Sequence, residues 1–198
     1  FPLFLIPLLV SFIFFGIQKE EETINIYIQK LLEEERVIFE NEEYKEKEME
    51  YILEFGENIP NEYLEYFYNE GWYFRFTDEM KDEAGFEYPY GTLIGLTLIN
   101  KKEIQILNYP EGNVTRDTLY HEFAHYIDLK NDDISQSEEF VELYEKNKDI
   151  YESRKYVKIN SKEWFADLVV DYYFYNDKFI NYNDNYTYVN NILNKSFE

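Results

Sequence analysis

The stretch TLYHEFAHYID, residues 118–128, holds both histidines of the 198-residue chain, four positions apart. Leu119, Phe123 and Tyr126 recur around them at helical spacing, so the stretch reads as a helix with one face turned to a core. On a helix, residues four apart lie on one face, one turn above the other. His121 and His125 therefore point the same way. Two imidazoles so placed can grip one zinc ion, each at about 2.0–2.1 Å. Glu122 stands beside the first of them, placed to reach a water on the metal. In this HExxH signature the glutamate is the general base of a metalloprotease. Chance alone would space two histidines by four in roughly one chain in a hundred of this length. An acid between them makes it about five times rarer, which favours a site.

A catalytic zinc takes three protein ligands and keeps a fourth position open. The chain has no cysteine and no third histidine, so the third ligand must be aspartate or glutamate. The metzincin pattern, with its third histidine, is thereby set aside. Of the many downstream acids, spacing singles out those in SKEWFADLVV, residues 161–170. Glu163 and Asp167 share one helical face among Trp164, Phe165, Leu168 and Val169. Two carboxylates on a half-buried helix need something positive to hold them. A zinc ligand, Glu163, and a second acid steering a ligating histidine, Asp167, meet that need. The competing readings are a capping box of Asn160 with Glu163, and a plain solvent-facing Asp167. Asp128, three residues beyond His125 on the same face, either closes its helix or braces a ligand.

The rest of the chain bounds the setting. Net charge is −22, from 41 acidic and 19 basic residues, a surface that repels nucleic acid and anionic lipid. Without cysteine there is no disulfide, no thiol catalysis and no cysteine zinc site. Aromatics make up 20% of the chain and reflect either compositional bias or an aromatic binding surface. The almost wholly apolar run FPLFLIPLLVSFIFFGI opens the sequence. Residues 1–18 are expected to be a secretory signal or an uncleaved membrane anchor, with a buried helix as the remaining reading. A signal or an anchor places the domain outside the cytoplasm, secreted or on the outer face of the membrane.

Residues 19–50 are charge-dense, with Ile24, Ile28, Leu31, Leu32 and Val37 at helical spacing, and are expected to form solvated helices with one packed stripe, a charged helical spacer or a peripheral helix. Residues 51–198 then form the catalytic domain. IPNEYLEYFYNEG (59–71) is a helix punctuated by Pro60 and Gly71, and WYFRF (72–76) a strand. TLIGLTLI (92–99) and EIQIL (103–107) make a β-hairpin around Asn100, Lys101 and Lys102. Helices follow at about 114–128, 137–146, 162–175 and 185–194. The class is α+β, a small mixed sheet followed by a mainly helical half that carries the HExxH helix.

HEFAHYID, NDDISQSEEFVELYEKN and KYVKINSKEWFADLVVDYYF, in that order, resemble the peptidase domain of anthrax lethal factor. They resemble still more closely the small secreted Pro-Pro endopeptidases of clostridia. The likeness covers roughly residues 60–195 and is strongest over 118–175. It implies a zincin-like fold, one catalytic Zn²⁺, and Glu163 as third ligand. It also implies that Tyr156 hydrogen-bonds the developing oxyanion. Trp164 and Asp167 depart from the family's E-F-F-A-E segment, whose first glutamate is Glu163 here. The expected function is hydrolysis of peptide bonds in extracellular or surface proteins, at proline-containing sites if the resemblance extends so far. A monomer with a protein or peptide substrate is expected. Two other readings stay open: a toxin-type protease acting on a host protein, and a non-catalytic surface protein that keeps zinc for folding. Extended substrates of such enzymes pair with a sheet edge, which either TLIGLTLI or EIQIL could supply.

Overall fold

Two segments read as a hairpin and one read as a strand assemble into the sheet that frames the site. The structure, a computed structural model, describes residues 24–81, 87–88, 93–109, 112–149 and 160–195. Strand β2 (Tyr73–Thr77) buries Phe74 and Phe76 completely and leaves Tyr73 and Arg75 half-exposed, the two-residue alternation of a pleated strand. β5 (Gly95–Leu98) and β6 (Glu103–Leu107) are the expected hairpin, joined by a 3₁₀ turn over Ile99–Lys101. Lys102 closes that turn at φ +54. β6 is buried along its whole length because it lies between β2, which is parallel to it, and β5, which is antiparallel. A short antiparallel pair, β3 (Met80–Lys81) with β4 (Glu87–Tyr88), stands apart from this sheet.

The charged N-terminal stretch has the expected helix with a packed stripe, Ile28 and Leu31, and differs in the rest. Its described part holds helix α1 (Ile26–Glu33), strand β1 (Val37–Phe39) and the start of helix α2 (Lys45–Asn58). β1 extends the sheet, giving the order β1-β2-β6-β5, and pairs parallel with β2. Val37, Ile38 and Phe39 are β-branched or aromatic, suited to a pleated surface despite the acids around them. Ile28, Leu31 and Val37 lie in the same core as the rest of the chain, and α2 runs straight through position 51. Residues 24–50 are therefore no spacer.

The remaining helices follow the apolar periodicity closely. Helix α3 (Asn61–Asn69) starts after Pro60, and Gly71 follows its end at φ +86. Helix α4 (Val114–Lys130) carries the histidine pair. α5 (Glu138–Asn147), α6 (Ser161–Phe174) and α7 (Asn183–Leu193) complete the helical half. α5 is capped by Ser137, whose hydroxyl accepts from Phe140 N at 3.2 Å. α4 packs on the sheet through one side and on α6 through another, so most of its circumference is covered. Its apolar side meets a cluster of rings: Phe123 lies edge-on to Phe55 at 4.8 Å, Phe67 stacks on Phe74 at 4.6 Å, and Trp72 meets Tyr126 at 5.0 Å. Such pairs add about 0.5–1.5 kcal/mol each beyond their buried area. Among the described residues, part of the aromatic excess thus goes into the core that holds α4 in place.

A buried carboxyl group without an ion-pair partner among the described residues sits away from the site. Glu48, on α2, is 1% exposed, and among the described residues neither carboxylate oxygen has a hydrogen-bond partner. Burial pushes its carboxyl up to about 8, and the nearby carboxylates of Asp78 and Glu42 push the same way.

Candidate active site

His121 and His125 stand one turn apart on α4, their rings 5.1 Å between centroids and nearly perpendicular. α6 brings Glu163 against both. Glu163 Oε2 lies 3.1 Å from His121 Nε2, and Glu163 Oε1 lies 3.6 Å from His125 Nε2. Among the described residues these three are the one group of histidines and acids that could hold a metal ion, with ligand atoms all within 4.8 Å of each other. Donors bound tetrahedrally to one zinc at about 2.0–2.1 Å stand about 3.3 Å apart. The two histidine-to-carboxylate separations, each to a different oxygen of Glu163, lie on either side of that value, and the donor set of two imidazoles and a carboxylate suits zinc. Burial holds the His125 imidazole well below its usual titration range, and His121 beside it acts in the same direction, while Glu163 opposes. A neutral imidazole is the form that ligates.

The cap reading of Glu163 is also met in part. Asn160 Oδ1 accepts a hydrogen bond from Glu163 N at 2.9 Å and starts α6. The backbone of Glu163 is thus capped while its side chain turns to the histidines. Cap and candidate ligand coexist, because the first turn of α6 abuts the histidine face of α4.

Glu122 leans on the sheet. Thr97 Oγ1, on β5, lies 2.9 Å from Glu122 Oε2 and 2.8 Å from Glu122 O. Gly95 lies under the same side chain. A Cβ there would stand 2.5 Å from Glu122 Oε1 and 2.6 Å from its Cγ, so no larger residue fits without displacing the glutamate. β5 is one of the two edges of its sheet among the described residues, so of the hairpin's two strands TLIGLTLI lies at an edge and EIQIL does not. Ile94 O accepts from Leu107 N at 2.9 Å, and bonded and non-bonded pairs alternate along an antiparallel ladder. The N–H and C=O groups of Gly95 and Thr97 therefore point away from β6, toward the free edge. Between this edge and the two helices runs a groove of about 870 Å³ with all three candidate ligands and Glu122 in its walls. Its apolar wall is aliphatic, with Leu93, Ile94, Leu96, Ile99 and Leu129. No aromatic side chain lines it among the described residues.

Asp128 closes the turn after α4. It is 2% exposed and accepts from Ser135 N and Ser135 Oγ, both at 2.7 Å. Burial raises its carboxyl above the usual range, against the pull of the Ser135 bonds. The turn it closes also reaches α6: Gln136 Nε2 donates to Ser161 Oγ at 2.7 Å, and Lys162 pairs with Asp133 at 2.6 Å. Asp128 therefore links the histidine helix to the start of the Glu163 helix through residues 133–136. Asp167 is 3% exposed, one turn beyond Glu163 on α6, so its solvent-facing reading is set aside. Tyr156 lies outside the described residues, as does the apolar run 1–17. Among the described residues no helix is long and apolar enough to cross a membrane. Sequence reasoning missed Gly95, Thr97, Ser135, Gln136 and Ser161. One signal was there: Thr97 is the lone polar side chain in the run LIGLTLI.

Fold and site together define an α+β domain with a His-His-Glu group beneath a sheet edge. The fold is similar to that of the Pro-Pro endopeptidase (PPEP-2) from Paenibacillus alvei. The two structures match with a TM-score of 0.60 at 19% sequence identity, over 84% of this chain and 99% of that one. No protein-family profile matches the chain, and no curated protein matches it in sequence. At this identity the likeness speaks to the fold.

Proposed function

We propose that the chain is a zinc metalloendopeptidase, secreted or anchored at the outer face of the membrane, that cuts extended segments of extracellular or surface proteins. The observation that carries this reading is the meeting of His121, His125 and Glu163 at zinc-ligand spacing, with Glu122 beside them on the groove. His121, His125 and Glu163 would hold the ion. Zinc, when bound, supplies Lewis acidity that polarises a carbonyl and acidifies a water toward a pKa of about 7. Glu122 takes the proton from the attacking water and delivers it to the leaving amine. The outward backbone groups of Gly95 and Thr97 pair with the substrate as an added strand. Tyr156 donates a hydrogen bond to the oxygen that gains charge, as the resemblance to lethal factor and the Pro-Pro endopeptidases implies. Asp167, buried beside Glu163, steers a ligating histidine. Cleavage at proline-containing sites follows from the resemblance and from the name of the structural neighbour.

The test is a mixed peptide library rich in proline members, offered to the zinc-loaded protein and to Glu122→Ala, with cuts read by mass spectrometry. Cuts by the wild type alone, with proline at the scissile bond, are the expected result. Cuts without proline would keep the peptidase and remove the proline preference. No cuts from either protein, with one zinc bound, would favour a non-catalytic zinc protein.

A further inference from the structure

We propose that Thr97 is the residue that positions the Glu122 carboxylate, and that Gly95 completes the seat. The inference rests on the peptidase reading for its kinetic consequence, and on geometry alone for its structural one. The Thr97 hydroxyl carries one proton and faces two acceptors of the same residue, Glu122 Oε2 at 2.9 Å and Glu122 O at 2.8 Å. Bridging both, it ties the end of the side chain to its own backbone and limits the rotation of the carboxylate. The second carboxylate oxygen, Oε1, presses on Gly95, where even a methyl group would meet it at 2.5 Å. Thr118 Cγ2 would lie 2.6 Å from the same added carbon, so the pocket beneath the glutamate has no slack.

Gly95 and Thr97 are two apart on an edge strand, so their side-chain positions share one face while their backbone groups face the open edge. The same two residues thereby offer backbone pairing to a substrate and orient the base. Binding register and base orientation are set by one rigid element, which suits a reaction sensitive to misplacement by about 1 Å.

Thr97→Val keeps the β-branched shape and removes the hydroxyl; Thr97→Ser keeps the hydroxyl. Measured on a peptide that the wild type cuts, Thr97→Val is expected to lower kcat about 10- to 100-fold. KM and zinc affinity should stay within about twofold, and Thr97→Ser should restore most of kcat. Gly95→Ala, which leaves the hydroxyl in place and displaces the carboxylate, is expected to lower kcat similarly. Crystal structures of the metal-free variants supply a readout that needs no activity. Glu122 should leave its seat in Thr97→Val and keep it in Thr97→Ser. An unmoved glutamate in Thr97→Val, a kcat within twofold of the wild type, or equal losses in the Val and Ser variants would overturn the proposal. If the wild type cuts no peptide, the peptidase reading fails while the crystal structures still decide the role of Thr97.

Discussion

Glu48→Gln is expected to stabilise the protein, and by more as pH rises. The carboxyl is raised from 4.5 to about 8 in the fold, chiefly by burial, with Asp78 and Glu42 adding to it. A folded-state value above the unfolded one means that the native protein keeps a proton which the unfolded chain has lost. Stability from this group is therefore intact below about pH 4.5 and falls as pH rises toward 8. Each unit of that interval is worth about 1.4 kcal/mol. The loss reaches about 3 kcal/mol at pH 7 and about 5 kcal/mol above pH 8, sizeable against a typical total of about 5–15 kcal/mol. Glutamine has nearly the same shape, does not titrate, and offers an N–H₂ group where Asp78 and Glu42 contribute negative charge. Thermal unfolding followed by circular dichroism at pH 5, 7 and 8.5, on both proteins, checks this. At about 2–4 °C per kcal/mol for a chain of this size, the variant should melt about 6–12 °C higher at pH 7. The gap should nearly close at pH 5. An equal gap at pH 5 and pH 8.5 would refute the argument, since only an ionising buried carboxyl makes the difference depend on pH.

Other expected outcomes concern the site. Glu163→Gln should weaken zinc binding on the order of 100-fold in chelator competition, because the carboxylate supplies the site's negative charge. Asp128→Ala leaves the fully buried Ser135 N–H without its acceptor. It should lower stability by about 1–3 kcal/mol in a denaturant melt and zinc affinity about tenfold. A loss of stability with zinc affinity unchanged would show that the turn does not brace the Glu163 helix. Tyr156→Phe should lower kcat about 10- to 100-fold in steady-state assays, with KM and zinc affinity held, if its hydroxyl serves the oxyanion.

The histidine pair was legible because helical geometry converts a spacing of four into a shared face with no help from tertiary structure. The hairpin was legible for a similar reason, its two apolar runs flanking a short polar turn. β1 was hidden, since three apolar residues between acid runs give no periodicity, and pairing with β2 is what makes them a strand. The strand edge was unreadable because sheet order depends on which strands pair, and β6 became interior only through its parallel partner β2. Glu163 lay between two readings, cap and ligand, and its geometry leaves room for both: the backbone is capped and the side chain reaches the histidines. Thr97 acts across a distance of 25 residues, and no local rule connects a strand threonine to a helix glutamate.

The most direct test of the central claim is zinc titration and turnover measured side by side on the wild type and Glu122→Gln. The account requires one tightly bound zinc in each protein and peptide cleavage in the wild type alone. Undiminished cleavage by Glu122→Gln, or a variant that no longer binds zinc, would contradict the separation of His121, His125 and Glu163 as ligands from Glu122 as base.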